Sequence, residues 1–103
     1  MMSYQNEIRA VESEWSPEIG FFWCIRQGQF TAPNFERALA KLSAISIAAD
    51  AEVPRRLISL LWYIPLFMRW QIERIQENGG DVAAYMKAIT VITNEVERLL
   101  GVP

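Results

Sequence analysis

The sequence predicts an all-α fold, a compact bundle of about five helices. Three observations carry that prediction. Apolar residues recur at three- and four-residue spacing from one end of the chain to the other. The periodic segments are separated by residues that start or stop helices: Ser16-Pro17, Gly28, Thr31, Pro54, Gly79-Gly80-Asp81 and Gly101. Nowhere does a run of four or more residues alternate between apolar and polar beside a hairpin turn. At 103 residues the chain makes one helical domain, 1–103, because single domains run to roughly 100–200 residues.

The first helix is read from Tyr4, Ile8, Val11 and Trp15, one apolar stripe ending near Trp15, with Glu7, Arg9, Glu12 and Glu14 on the other face. The second is expected over Pro17–Gln27. Ser16 supplies a hydroxyl cap, Pro17 fits the first helical position, and Glu18 places an acid in the first turn. Gly28 suits the left-handed residue that ends a helix. In the third helix Thr31 is the cap, and Phe30 and Phe35 have the spacing of a hydrophobic staple. Phe35, Ala38, Leu39, Leu42 and Ile45 then form its buried stripe, with Glu36, Arg37 and Lys41 outside. Residues 46–52 lose the period and read as a loop anchored by Ile47.

The fourth helix is expected from Pro54 to Asn78. Its first half is apolar all round, as in the centre of a bundle. Pro65 lies inside it, and a proline there removes a hydrogen bond and meets the carbonyl four residues back. A kink or break near Leu61–Pro65 follows. Asn78-Gly79-Gly80-Asp81 is a turn so short that helices four and five must be antiparallel neighbours. Helix five carries Val82, Tyr85, Met86, Ile89, Ile92, Val96 and Leu99, and Val102 is placed to fold back on Val96.

Composition narrows function by exclusion. Hydrophobic residues make up 51% of the chain and aromatics 12%, which excludes disorder. Histidine is absent and Cys24 is the one cysteine, which excludes a disulfide framework, a zinc finger and imidazole catalysis. Cys24, between Trp23 and Ile25, reads as a buried, inert thiol. The net charge is −2, from 10 basic and 12 acidic residues, and the cations are scattered; nucleic-acid binders show a basic patch instead. Helix two, Gly28 and helix three have the outline of a helix-turn-helix, but the start of helix three offers few base-reading side chains beyond Asn34, Arg37 and Lys41. The longest apolar stretch, Leu57–Met68, has 12 residues, and a membrane span takes roughly 20. The start of the chain shows neither a basic region nor an apolar one of the secretory kind, so a cytoplasmic location is expected.

No cofactor or metal is expected. Gly79-Gly80 precedes Asp81, whose carboxylate would repel phosphate. Glu73 and Glu77, four apart on one helical face, are the best pair for a divalent cation, with Asp81 and Glu95 as the only further candidates. Their ordinary reading is a solvated face shared with Arg69 and Arg74. A metal-dependent enzyme on Glu73 and Glu77 is therefore the third functional reading.

Two features point to attachment. Glu7, Glu12, Glu14 and Glu18 gather in the first 18 residues against one cation, Arg9, a complement to a basic partner. The twelve aromatics concentrate around Phe21-Phe22-Trp23 and around Trp62-Tyr63, Phe67 and Trp70. A domain this small cannot hide all of them, so some of Phe21, Trp62, Tyr63 and Phe67 should anchor a protein contact. The leading partner-binding set is Glu7, Glu12, Glu14, Glu18, Trp62, Tyr63 and Phe67.

The blocks Ile19-Gly-Phe-Phe-Trp-Cys-Ile-Arg-Gln-Gly-Gln-Phe30 and Leu60-Leu-Trp-Tyr-Ile-Pro-Leu-Phe-Met-Arg-Trp70, with the size, helical character and mild acidity of the chain, resemble small bacterial immunity proteins of the contact-dependent growth-inhibition type. The resemblance implies a cytoplasmic, non-enzymatic protein that binds the toxic domain of its cognate effector, often a nuclease, and covers its active site. It carries over no site residues. The alternative is a homodimeric regulatory or structural protein that self-associates through Trp62, Tyr63 and Phe67.

Overall fold

The computed structural model describes residues 3–103. Among these residues all regular structure is helical, in six helices: α1 Gln5–Ser13, α2 Phe21–Arg26, α3 Ala32–Ser43, α4 Arg55–Trp70, α5 Ile72–Glu77 and α6 Val82–Leu100. The class is the one expected. The count is six, because the fourth predicted helix divides.

α4 and α6 form the central pair and share the most extensive packing. They run antiparallel, as the short turn before Asp81 requires: the Tyr85 hydroxyl near the start of α6 donates to the Met68 carbonyl near the end of α4, at 2.6 Å. α1 lies on α4, α3 lies on α6, and α1 and α3 touch each other. α2 and α5 pack together at one end. The fully buried side chains are Leu57, Leu61, Ile64 and Met68 of α4, Tyr85 and Ile92 of α6, Phe21, Phe22 and Ile25 of α2, Ile75 of α5, Leu42 of α3 and Val11 of α1. Ile47 and Val53 pin the long α3–α4 connection against this core.

Local signals hold where their partners are local. Thr31 Oγ1 accepts from the Asn34 N–H, and the Phe30 and Phe35 rings lie 6.2 Å apart. Asp81 Oδ1 accepts from the Ala84 N–H at 3.0 Å, capping α6.

Four expectations are corrected. The second helix starts at Phe21, not Pro17, and Glu18 sits at φ 72°. The cause is Glu14: its carbonyl takes the Phe22 N–H at 2.8 Å and its carboxylate takes the Phe21 N–H at 3.0 Å. Those two bonds fix where α2 can begin. Helix four runs on through Pro65, and the interruption falls at Gln71. There the Phe67 carbonyl accepts from the Gln71 side chain and the Met68 carbonyl from the Gln71 N–H and the Tyr85 hydroxyl. With those acceptors satisfied from elsewhere, the chain can leave the helix and restart. At the other end, Gly101 closes α6 at φ 84°, and Val102 is exposed and does not fold back on Val96. Met86 also faces solvent, outside the stripe in which it was placed.

Burial pushes the Tyr85 phenol far up its scale, so it is a neutral donor at any physiological pH. Tyr85→Phe removes that bond and leaves the Met68 carbonyl its Gln71 N–H. A loss of about 1 kcal/mol is expected, read as a lower urea midpoint with an unchanged slope.

Candidate protein-binding face

The four N-terminal acids do not assemble into a patch. Glu14, at 2% exposure, is the one charged residue in the core of the described structure. Its Oε1 accepts from Arg37 Nη2 at 2.8 Å and its Oε2 from Arg37 Nε at 3.0 Å, with Lys41 Nζ also on Oε2. Burial alone would raise its pKa, but the hydrogen bonds from Arg37, Lys41 and the Phe21 N–H outweigh that and hold the carboxyl at about 2. Glu14 is therefore an internal tie between α1, α2 and α3, and its place in the partner-binding set is withdrawn. Glu12 pairs with Arg56 of α4 at 2.7 Å on the surface. Glu7 is half-buried in a recess lined by Asn6, Ala10, Lys41, Ala44 and Ile45. Glu18 is exposed.

The same bonds bear on the other readings. Arg37 also donates to the Ile19 carbonyl at 2.7 Å, and Lys41 to Ser13 Oγ at 2.8 Å. Two cations of the helix that would enter a DNA groove are thus tied into the protein. Among the described residues no three carboxylate or thiol side chains gather at one point. Asp81 caps α6, and Glu95 bonds Arg98 and Ser43, so neither joins Glu73 and Glu77. Cys24 is buried, its thiol 3.5 Å from the Glu18 carbonyl. No described helix is long and apolar enough to cross a membrane.

What the structure does assemble is an aromatic face on α4. Ile58, Trp62, Leu66 and Trp70 are 41%, 53%, 37% and 59% exposed. Spaced by four, they form one continuous ridge along the helix. Tyr63, half-buried, joins the tryptophans: its ring lies 5.9 Å from Trp62 and 5.8 Å from Trp70. Beneath it Phe67 and Trp15 pack at 4.7 Å, and Trp15 stacks on Phe22 at 4.7 Å. Arg26 lies over this layer, 5.2 Å from the Phe67 ring and 5.8 Å from that of Trp15. The exposed rings thus rest on a rigid aromatic floor. Beside them, between α1 and α4, is a recess of about 300 Å³ lined by Glu12, Trp15, Arg56, Ser59, Leu60 and Tyr63.

Of the aromatics read as anchors, Trp62 is exposed, Tyr63 is half-exposed, and Phe67 and Phe21 are buried. Phe67 is withdrawn from the partner-binding set because Trp15, Phe22 and Tyr63 enclose it. Sequence reasoning missed Ile58, Leu66 and Trp70 as members of the face. Their four-residue spacing with Trp62 was the available signal, hidden because every side of that stretch is apolar.

The face has a charge character. The charged residues of α4 are Arg55, Arg56 and Arg69, with no carboxylate among them. An aromatic ridge beside arginine is the composition of a protein-contact core, where such residues are enriched. No protein-family model matches the chain, and no curated protein or solved structure does.

Proposed function

We propose that this protein acts by attachment and not by turnover: it is a stoichiometric immunity protein that neutralises a cognate bacterial toxin domain, a nuclease in the form the resemblance implies, by covering its active site. The observation that supports attachment is the α4 ridge. Two tryptophans more than half exposed on a supported ring layer cost apolar hydration in the free chain, and a partner surface removes that cost. The immunity reading adds the resemblance of the Ile19–Phe30 and Leu60–Trp70 blocks. The acids no longer serve as the main contact, so the expectation of a strongly basic partner is replaced by one of an apolar surface able to seat arginines.

The test is calorimetric titration of the chain with the purified product of the gene immediately upstream. The expected result is one-to-one binding at nanomolar to micromolar strength with loss of the toxin's activity. Trp62→Ala and Trp70→Ala should each weaken it by about 30-fold or more, the usual effect of truncating a central tryptophan. Absence of binding removes the immunity reading. Binding unchanged by both substitutions removes the α4 face from it. Turnover of a small molecule by the purified chain, abolished by neutralising one carboxylate, overturns attachment itself.

A further inference from the structure

The outward row of α4 reads cation, tryptophan, cation. Arg55, Trp62 and Arg69 are seven residues apart on the helix Arg55–Trp70, and all three are exposed. Seven residues are close to two turns, so the three side chains stand on one line, about 10 Å from each to the next. Ile58 and Leu66, 41% and 37% exposed, lie between them. Of the charges on α4, Arg56 is answered by Glu12. Among the described residues neither Arg55 nor Arg69 joins an ion pair, and nor do Glu52 and Glu73, the acids nearest them in sequence. Arg55 also stands in the first turn of α4, which holds no acid. The macrodipole already places positive charge there, so an anion from outside the chain would relieve it. We propose that this row seats an acidic amphipathic helix of the partner protein, with carboxylates fourteen residues apart set against Arg55 and Arg69 and apolar side chains between them set around Trp62. The inference rests on α4 being a protein-docking surface and names the chemistry of the element that lies on it.

The repeat on α4 selects a helix as its complement. The backbone bonds of α4 are internal, so it offers no edge to a strand and binds through side chains alone. A helix laid along it at about +20° keeps a seven-residue row in register over several turns. The partner residues opposite Arg55 and Arg69 are then fourteen apart, about 21 Å. Both point at α4, because fourteen residues are close to four whole turns. A carboxylate at each position can take a guanidinium through two parallel hydrogen bonds. These pairs flank the apolar contact at Trp62, where charge governs register and approach more than strength. The row has a cation at each end, so charge fixes where the partner helix sits and leaves its direction to the apolar packing.

Two other occupants answer the row less well. An anionic bilayer draws on clusters of about four to eight basic residues, and the row offers two. A second copy would present the same helix, which carries no carboxylate for Arg55 or Arg69.

The probe is a synthetic alanine-based peptide of about 20 residues, long enough to hold a helix in water, with two glutamates fourteen residues apart and leucines on the same face between them. Its control carries lysines in place of the glutamates. Titrated into the isotope-labelled full chain, the acidic peptide should bind in the micromolar to low-millimolar range and shift the indole N–H signals of Trp62 and Trp70. The lysine peptide sets like charges together and should bind at least about 10-fold more weakly. The Arg55→Glu, Arg69→Glu variant should reverse that order, and Arg55→Lys, Arg69→Lys should keep it. Both arginines are exposed, so these variants should keep the wild-type circular dichroism; Arg55→Glu alone serves where the double variant does not. No binding of the acidic peptide, equal binding of the two peptides, or shifts confined to signals other than those of Trp62 and Trp70 overturns the proposal. So does binding to phosphatidylglycerol vesicles in preference to the peptide, which gives the face to a membrane. A dimer in sedimentation that Arg55→Glu, Arg69→Glu abolishes gives it to a second copy and overturns the proposal equally. Titration of that variant with the upstream gene product separates the two readings. Binding weakened at least about 10-fold supports both. Binding at full strength leaves the immunity reading standing without the acidic helix, and a selective peptide with no toxin binding leaves the reverse.

Discussion

Replacing Glu14 by alanine is expected to lower folding stability by about 3 kcal/mol and the melting temperature by about 12–20 °C. Three effects combine. The Phe21 N–H is left buried with no acceptor, and the anchor for the start of α2 is lost. Arg37 and Lys41, 41% and 31% exposed, lose their shared anion but can turn to water, which moderates the loss. Glu14→Gln keeps an acceptor for Phe21 but loses the charge, so most of the effect is expected to remain. The pH dependence carries its own sign. A carboxyl held at about 2 in the fold against an ordinary 4.5 is worth about 3 kcal/mol at neutral pH. Because the folded value is depressed, that stability is present above pH 4.5 and is lost as pH falls toward 2. Urea unfolding between pH 2 and 7 should show the decline in the native chain and a shallower one in both variants. A Glu14→Ala protein as stable as the native chain at pH 7 would refute the account.

Gly20→Ala is the second large effect expected. The backbone at Gly20 has an ordinary φ of −72°, so the demand for glycine here is spatial. A Cβ would lie 2.4 Å from the Glu14 carbonyl oxygen and 2.8 Å from the Ser16 nitrogen. Both are backbone atoms, and neither can swing aside as a side-chain tip would. The Glu14 carbonyl is the one that receives the Phe22 N–H, so moving it lengthens the bond that begins α2. Overpacking of this kind costs about 3 kcal/mol, read by the same denaturation. The Glu14→Ala, Gly20→Ala double variant should lose less than the sum of the singles, because both disrupt one junction. Strict additivity would show the two sites to be independent.

What the sequence made legible was set by distance along the chain. The stripe of α1, the Phe30–Phe35 staple and the Asp81 cap depend on residues three or four apart, and periodicity exposes them. The start of α2 does not: Ser16-Pro17-Glu18 has every local mark of a helix start, and Glu14 overrides it through bonds reaching seven and eight residues forward. The interruption at Gln71 depends on Tyr85, 17 residues from the carbonyl it meets, whereas the visible breaker, Pro65, sits inside an intact helix. The candidate face was half legible for the same reason. That aromatics would remain exposed followed from composition. Which ones did not, because Phe67 is covered by Trp15 and Phe22, residues of other segments. Glu14 looked like surface charge until Arg37 and Lys41, 23 and 27 residues away, were seen to enclose it.

Several helix ends are closed by side chains from elsewhere in the chain. Arg98 of α6 donates to the Leu42 and Ile45 carbonyls at the end of α3. Arg74 and Asn78, in and just after α5, donate to the Arg26 and Gly28 carbonyls at the end of α2. Tyr85 of α6 holds the end of α4, and Glu14, beside α1, holds the start of α2. α2 is thus finished at both ends by neighbours, and few of the helices have the length to persist in isolation. Such a chain melts in unison: loosening one segment unfastens the terminus of the next, and no fragment is left with a structure of its own.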